Sequence, residues 1–350
     1  MAYTTIDDPT IYFNTVLYTG NASTQSITGV GFSPSFVWIK SRNDTNENYL
    51  FDVIRGVHEP LISSANTAET TDTNTVTSFD SDGFSIGNNT GINGSSDTEV
   101  AWNWKAGTSF TNDASSTGIG TIDSTGSASD TAGFSIVSYT GTGSAGTIKH
   151  GLSTAPNCII FKNRDSASNW IVYHSATSST PQDDFLKLNA NSAVGSSTSY
   201  GNNTAPTTSV FSVGANDNTN KSSEGQIAYC FAEKQGYSKF GSYIGNGSAD
   251  APFIHTGFKP AMVILKEATS TGNWYIFDNK RNTFNETNCF VEADTSDAED
   301  CASGGIDFLS NGIKIKTASA RFNQSSSSYV YIAFAEAPLV NSEEVPCNAR

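Results

Sequence analysis

The sequence predicts an all-β chain of three tandem β-sandwich modules, jelly-roll or lectin-like, related by internal repeat. Three observations predict it. An apolar strand ending in lysine occurs three times, six residues after a proline: Pro34 to Lys40, Pro156 to Lys162 and Pro260 to Lys266. Eleven residues after each lysine an aromatic closes a second strand, as Phe51, Tyr173 and Phe277. No amphipathic pattern of helical length interrupts these blocks, and strand signals at regular intervals mark a repeat architecture.

The elements of each repeat follow in order. A Tyr-x-Gly turn opens it at Tyr18, Tyr139 and Tyr243, with an isoleucine (Ile27, Ile148, Ile254) and a glycine (Gly31, Gly151, Gly257) after it. These are turn signals that bound a short strand. The lysine block comes next. Downstream, residues 79–86 match residues 308–315, and residues 210–214 stand at the same place. Asp82-Gly83 and Asn311-Gly312 tolerate positive φ, so two of the three read as tight hairpins. A period-two strand ends each repeat: Val100, Trp102, Trp104; Ile227, Tyr229, Phe231; Val330, Ile332, Phe334. Small residues such as Ala228, Cys230 and Ala333 alternate with them, which predicts a strand half-buried against a core.

A chain of 350 residues holds three domains of about 100 residues each. The expected organisation is an arm (1–10), repeat one (11–107), a linker or pair of inserted exposed strands (108–132), repeat two (133–236), repeat three (237–338) and a tail (339–350). The arm carries Asp7-Asp8-Pro9 and the tail Glu343, Glu344 and Pro346, compositions of segments that order on a partner.

Charge excludes some functions. A net charge of −15 and a pI near 4.5 count against nucleic acid, which is bound through clustered Lys and Arg. The N-terminus shows no basic region leading into an apolar one, and no run of 18 apolar residues follows, so neither signal-peptide export nor membrane insertion is expected. Of five cysteines, Cys158 and Cys230 fall in predicted strands as small apolar groups. A bridge between two of Cys289, Cys301 and Cys347 is left open, with reduced thiols expected of a cytosolically assembled protein.

Candidate chemistry has blander readings. Asp80-Ser81-Asp82-Gly83 resembles the start of a calcium loop, but the glutamate due at its end is Gly91, and the segment reads as a hairpin turn. The acidic run Glu292, Asp294, Asp297, Glu299 and Asp300 reads as solvated charge. There is no Gly-x-Ser-x-Gly elbow, and His58, His150, His174 and His255 never fall at metal-ligand spacing. No catalytic residue, cofactor or metal is assigned, and the chain is read as a non-enzyme. Trp38, Trp102, Trp104, Trp170 and Trp274 are sugar-stacking candidates, but four lie in repeated strands and read as core. The three lysines read as structural, pairing with acidic residues across the sheet or ending strands in solvent.

Several stretches carry a resemblance: Leu17-Tyr18-Thr19-Gly20-Asn21, Phe36-Val37-Trp38-Ile39-Lys40, Asp82-Gly83-Phe84-Ser85-Ile86-Gly87, Ala101-Trp102-Asn103-Trp104-Lys105-Ala106-Gly107 and Gly133-Phe134-Ser135-Ile136-Val137-Ser138-Tyr139-Thr140-Gly141. Together they resemble a repeated domain of marine tailed bacteriophages, cyanophages included, over about residues 10–340. The third repeat departs most, with Tyr243-Ile244-Gly245 and Gly312-Ile313-Lys314-Ile315. The resemblance implies a virion structural protein, assembled in the host cytoplasm and then extracellular, and supplies no catalytic residues. The expected function is that of a tail fibre or appendage acting in host adhesion. The alternatives are a capsid decoration protein and a polysaccharide depolymerase. Expected partners are other tail or capsid proteins and a host surface glycan, with the chain a homo-oligomer of three sandwiches in a row.

Overall fold

Eight strands and a one-turn helix at the same places in the first and last repeats make the internal symmetry visible in a computed structural model, which describes residues 3–301 and 304–348. Ala2 and Arg350, at the outer ends of the expected arm and tail, lie outside the described residues. Repeat one contains β1 (Phe13–Thr19), β2 (Gln25–Thr28), β3 (Phe36–Ser41), β4 (Tyr49–Asp52), β5 (Gly56–Ile62), β6 (Val76–Asp80), β7 (Gly83–Ile86), α1 (Thr90–Asn93) and β8 (Thr98–Trp104). An inserted hairpin follows, β9 (Thr108–Asn112) and β10 (Ser124–Ser129), with α2 (Ala114–Thr117) between its strands.

Repeat two contains β11 (Phe134–Thr140), β12 (Gly146–Lys149), β13 (Cys158–Asn163), β14 (Ile171–His174), β15 (Asp184–Lys187), β16 (Gly195–Ser196), α3 (Thr198–Gly201), β17 (Val210–Val213), α4 (Asp217–Asn220) and β18 (Gly225–Phe231). Repeat three contains β19 (Ser238–Ile244), β20 (Phe253–His255), β21 (Phe258–Glu267), β22 (Trp274–Asp278), β23 (Val291–Glu292), β24 (Ile306–Leu309), β25 (Gly312–Ile315), α5 (Ala320–Asn323) and β26 (Ser328–Pro338). The fold is all-β, as the strand signals predict.

Each repeat pairs a large sheet with a small one. The large sheets run β1-β8-β3-β4-β5 and β19-β26-β21-β22-β23, all antiparallel, and the small ones β2-β7-β6 and β20-β25-β24. In repeat two the inserted hairpin adds two strands to the large sheet, which becomes β16-β15-β14-β13-β18-β11-β10-β9, while the small sheet keeps only β12 and β17. Segment 108–132 is thus a strand pair that extends a sheet, with β9 at its edge.

The sandwiches do not stand in a row. One face of every large sheet belongs to a single shared core that takes Phe36, Trp38 and Trp102 from repeat one, Ile160, Tyr229 and Phe231 from repeat two, and Ile264, Ile332 and Phe334 from repeat three. Trp104, Phe231 and Phe334, the last inward residues of the three closing strands, meet with ring centroids 5.5–6.4 Å apart. The opposite face of each large sheet packs on its own small sheet in three separate outer cores. The closing strands are therefore buried on both faces, not half-buried. The small residues of their alternation (Ala101, Ala228, Cys230, Ala333) lie in the outer cores.

The expectation that both terminal segments wait for a partner is also corrected. Tyr3 donates its hydroxyl to the Gly257 carbonyl (2.6 Å), Thr4 donates to Gln235 O (2.8 Å), and Ile6 enters the shared core. On the tail, Cys347 N donates to Leu339 O (2.9 Å), and Ser342 N donates to the Asp7 carboxylate (2.6 Å). Both segments lie against the body of the same chain because Ile6 and the backbone groups beside it find apolar cover and partners there.

Candidate functional site

The residues that define the repeat build two constructions, a clamp at one end of each sandwich and a joint between sandwiches. In the clamp, Tyr18, Tyr139 and Tyr243 donate their hydroxyls to carbonyls of the one-turn helices, at Ile92 (2.7 Å), Thr219 (2.5 Å) and Phe322 (2.7 Å). Each helix ends in a fully buried asparagine: Asn93, Asn220 and Asn323. Its Oδ1 accepts from the turn after the tyrosine (Asn21 N, Thr142 N, Asn246 N) at 2.8–2.9 Å. Its Nδ2 donates to carbonyls on both sides, such as Ser23 and Gly87 in repeat one and Ser144 and Gly214 in repeat two. The glycine after each tyrosine is obligatory. A Cβ on Gly20, Gly141 or Gly245 would stand 2.1–2.2 Å from a backbone oxygen.

At the joints the three lysines do something other than pairing with carboxylates or ending in solvent. All are fully buried. Lys40 Nζ donates to Asn46 O (2.6 Å) and across to Ser296 O of repeat three (3.0 Å). Lys162 reaches Ser168 O (3.0 Å) and Asn66 O of repeat one (3.4 Å), and Lys266 reaches Glu267 O (2.6 Å) and Asn191 O of repeat two (3.5 Å). Burial pulls each ammonium down to about 8. Eight residues after each lysine another donor crosses the same joint. Asn48 Nδ2 donates to Glu292 O and Thr295 O, Trp170 Nε1 to Ile62 O and Trp274 Nε1 to Lys187 O. Repeat one thus leans on three, two on one and three on two, which closes a ring.

Charge distinguishes the joints. Between repeats one and two, Arg55 lies between Asp52 (2.5 Å) and Glu69 (2.9 Å), Glu69 also holds Arg164 (2.6 Å), and Tyr229 donates to Asp52 (2.7 Å). Between three and one the set recurs as Asp278, Arg281, Glu299 and Arg42, with Trp102 Nε1 donating to Asp278 (3.1 Å). Between two and three it is absent. His174 stands where the aspartates stand, Thr177 where the arginines stand and Ala268 where Arg42 and Arg164 stand. His174 Nε2 meets Tyr331 O at 3.1 Å while Nδ1 accepts from Ala176 N, and burial depresses the imidazole to about 4. One backbone bond is common to all three joints: Glu69 N to Arg164 O, Glu299 N to Arg42 O and Val194 N to Ala268 O, each 2.8 Å.

The remaining sequence-predicted residues fall into place around these joints. Pro34 and Pro156 are buried just before the start of their lysine strands, and Pro260 is buried inside β21 at a β-bulge, where a missing N–H is tolerated. Phe51, Tyr173 and Phe277 face the outer cores, and all five tryptophans are buried. In the Asp80–Gly83 turn, Asp82 accepts from Gly29 N (3.1 Å) and Gly31 N (2.6 Å), and these bonds hold its carboxyl below the ordinary range. Asp80 is held by Ser78 and Ser85 (2.8 Å each). The acidic run is not a solvated face. Asp294 accepts from Trp274 N and burial lifts it to about 6, while Glu299 belongs to the joint. Cys289 and Cys301 form a disulfide beside Glu299.

Sequence reasoning missed the clamp asparagines and the joint ion pairs. Both left signals: Asn-x-Ser-Ser at 93–96, 220–223 and 323–326, and Phe-Asp-x-x-Arg at 51–55 and 277–281.

Repeat two has a cleft on its outer face. Its small sheet lacks the third strand, and α3 with the loop after it covers the outer face of β13 and β14 incompletely. The cavity that remains is about 30 Å³, walled by Phe161, Tyr173, Tyr200 and Phe211, with Gln182 and Asp184 in its lining. Asp184 Oδ2 is covered and has no hydrogen-bond partner among the described residues.

A family described as a domain of unknown function, DUF7483, matches residues 8–338. The chain belongs to this family. The match spans all three repeats, so the family's unit is the whole ring, as the shared core demands. No curated protein and no solved structure matches the chain.

Proposed function

We propose that the chain is a bacteriophage virion surface protein of tail-fibre or appendage type that acts in host attachment. The observation that carries this reading is the closed ring. Its charged and aromatic repeat residues are committed to joints and clamps, while three similar sandwiches turn outward around one core. A fibre usually obtains such a display by oligomerising, and here a single chain supplies it. Three faces on one rigid body suit multivalent attachment, in which weak sites add ~10²–10⁴-fold to the apparent affinity. The phage assignment rests on the sequence resemblance.

The cleft of repeat two supports attachment over depolymerisation. Glycoside hydrolysis needs two carboxyl groups flanking one bond, and among the described residues the lining offers one, Asp184. The test is binding of the labelled protein to intact host cells and their isolated surface polysaccharide, with released sugar assayed in the same tubes. Binding without release is the expected result. Release would make the protein a depolymerase, and neither binding nor release would leave a decoration protein without ligand.

A further inference from the structure

The three sandwiches share one plan, and repeat two departs from it at one place. In repeat three the outer face of the large sheet is covered by β24 and by a cluster of Tyr275, Phe277, Phe290 and Phe322 whose ring centroids lie 4.9–5.6 Å apart. In repeat one β6 contributes Val76 to the same cover. Repeat two has neither a third strand nor a matching phenylalanine cluster. Tyr200 of α3 leans on Phe185 (centroids 4.3 Å) and leaves the aromatic cavity open beside it.

The lining has two chemistries. Phe161, Phe211, Tyr173 and Tyr200 offer apolar ring surface. Asp184 offers a carboxylate with one covered oxygen that no group among the described residues satisfies, a costly arrangement unless a donor arrives from outside. A ligand that fits presents hydroxyl or amide N–H donors on one side and an apolar group on the other. The cavity volume, about twice what one water requires, admits a methyl-sized group and no whole ring, so the ring itself sits at the mouth near Thr204 and Gln182. A net charge of −15 disfavours an acidic ligand.

We infer that the cleft of repeat two binds a neutral sugar unit bearing a methyl group, as an N-acetyl or 6-deoxy substituent. The methyl group enters the cavity between Tyr200 and Phe211, and a hydroxyl or amide of the sugar donates to Asp184. This deepens the attachment reading and rests on it only for the source of the sugar. It also places one such site on each chain instead of three, so for this ligand multivalency comes from several copies of the chain on one particle.

The experiment is saturation-transfer NMR on the full chain with N-acetylglucosamine, L-fucose and glucose as probes. Transfer to the methyl protons of one of the first two, exceeding any transfer to glucose, is expected. Asp184→Asn, which keeps the shape, should weaken binding about tenfold. Thr204→Trp, at an exposed position on the mouth, should abolish it while thermal unfolding stays unchanged. Equal transfer to glucose, or binding undisturbed in both variants, would overturn the site. Host-cell binding by the same proteins separates the two readings. Cells bound equally by wild type and Asp184→Asn would leave attachment standing and the cleft unemployed. Methyl-sugar binding without cell binding would keep the cleft and sink attachment.

Discussion

A buried asparagine that satisfies three backbone groups is worth more than its size suggests. Asn93 accepts from Asn21 N and donates to Ser23 O and Gly87 O in a place without water. Asn93→Ala leaves those groups unpaired and should cost about 3 kcal/mol, measured by chemical denaturation at constant m value. His174 gives a pH dependence with a definite sign. Folded, it stays neutral down to about 4, whereas unfolded it protonates near its ordinary 6.5. The unfolded state therefore binds more protons between those values. Its contribution is fully present above about 6.5 and is lost as pH falls toward 4, on the order of 3 kcal/mol in all. Melting curves of wild type and His174→Gln at pH 7 and pH 4.5 should converge at the lower pH. A gap that does not change with pH would contradict this assignment.

At the scale of elements, segment 290–300 makes the joint between repeats three and one, presenting Glu292 O, Thr295 O, Ser296 O and Glu299 to repeat one. The Cys289–Cys301 disulfide closes this segment at its base. Closing a loop of that length limits the unfolded chain, so Cys301→Ser or reduction should lower stability by about 3 kcal/mol, read as a shift of the guanidinium midpoint with and without reductant. The strands were legible in the sequence because alternation and turn residues are local signals. Trp38, Trp102 and Trp104 were legible as core for the same reason. Where the core lies was not legible, since period two reports which residues share a face and nothing about a third sheet arriving from 200 residues away. The lysines misled for a related reason. A strand ending in lysine reads as reaching solvent, and only the neighbouring repeat's carbonyls make burial tolerable. The cleft arises from a strand that repeat two does not form, for which a sequence pattern offers no positive sign.

The molecule as a whole depends on closure. Each large sheet carries an inward apolar face that only the other two repeats cover, so a chain truncated after residue 236 would expose Phe231, Tyr229, Trp104 and Phe36 together. A truncated protein of residues 1–236 should aggregate or associate, and analytical ultracentrifugation should find no folded monomer. A folded monomer would show that the shared core is dispensable. Two of the joints hold buried ion pairs whose loss is severe. Asp52→Asn leaves Arg55 short of a charge in a site with no exposure and should cost 3–5 kcal/mol by thermal or chemical unfolding.

The inequality of the joints has a consequence for mutation. In a ring of three identical chains, every substitution is made three times and weakens every contact at once. Here each joint is encoded separately, and a change falls on one of them while the other two keep the register. That arrangement tolerates a neutral His174–Thr177 joint beside two ionic ones. It equally leaves one repeat free to lose a covering strand without the other two losing theirs.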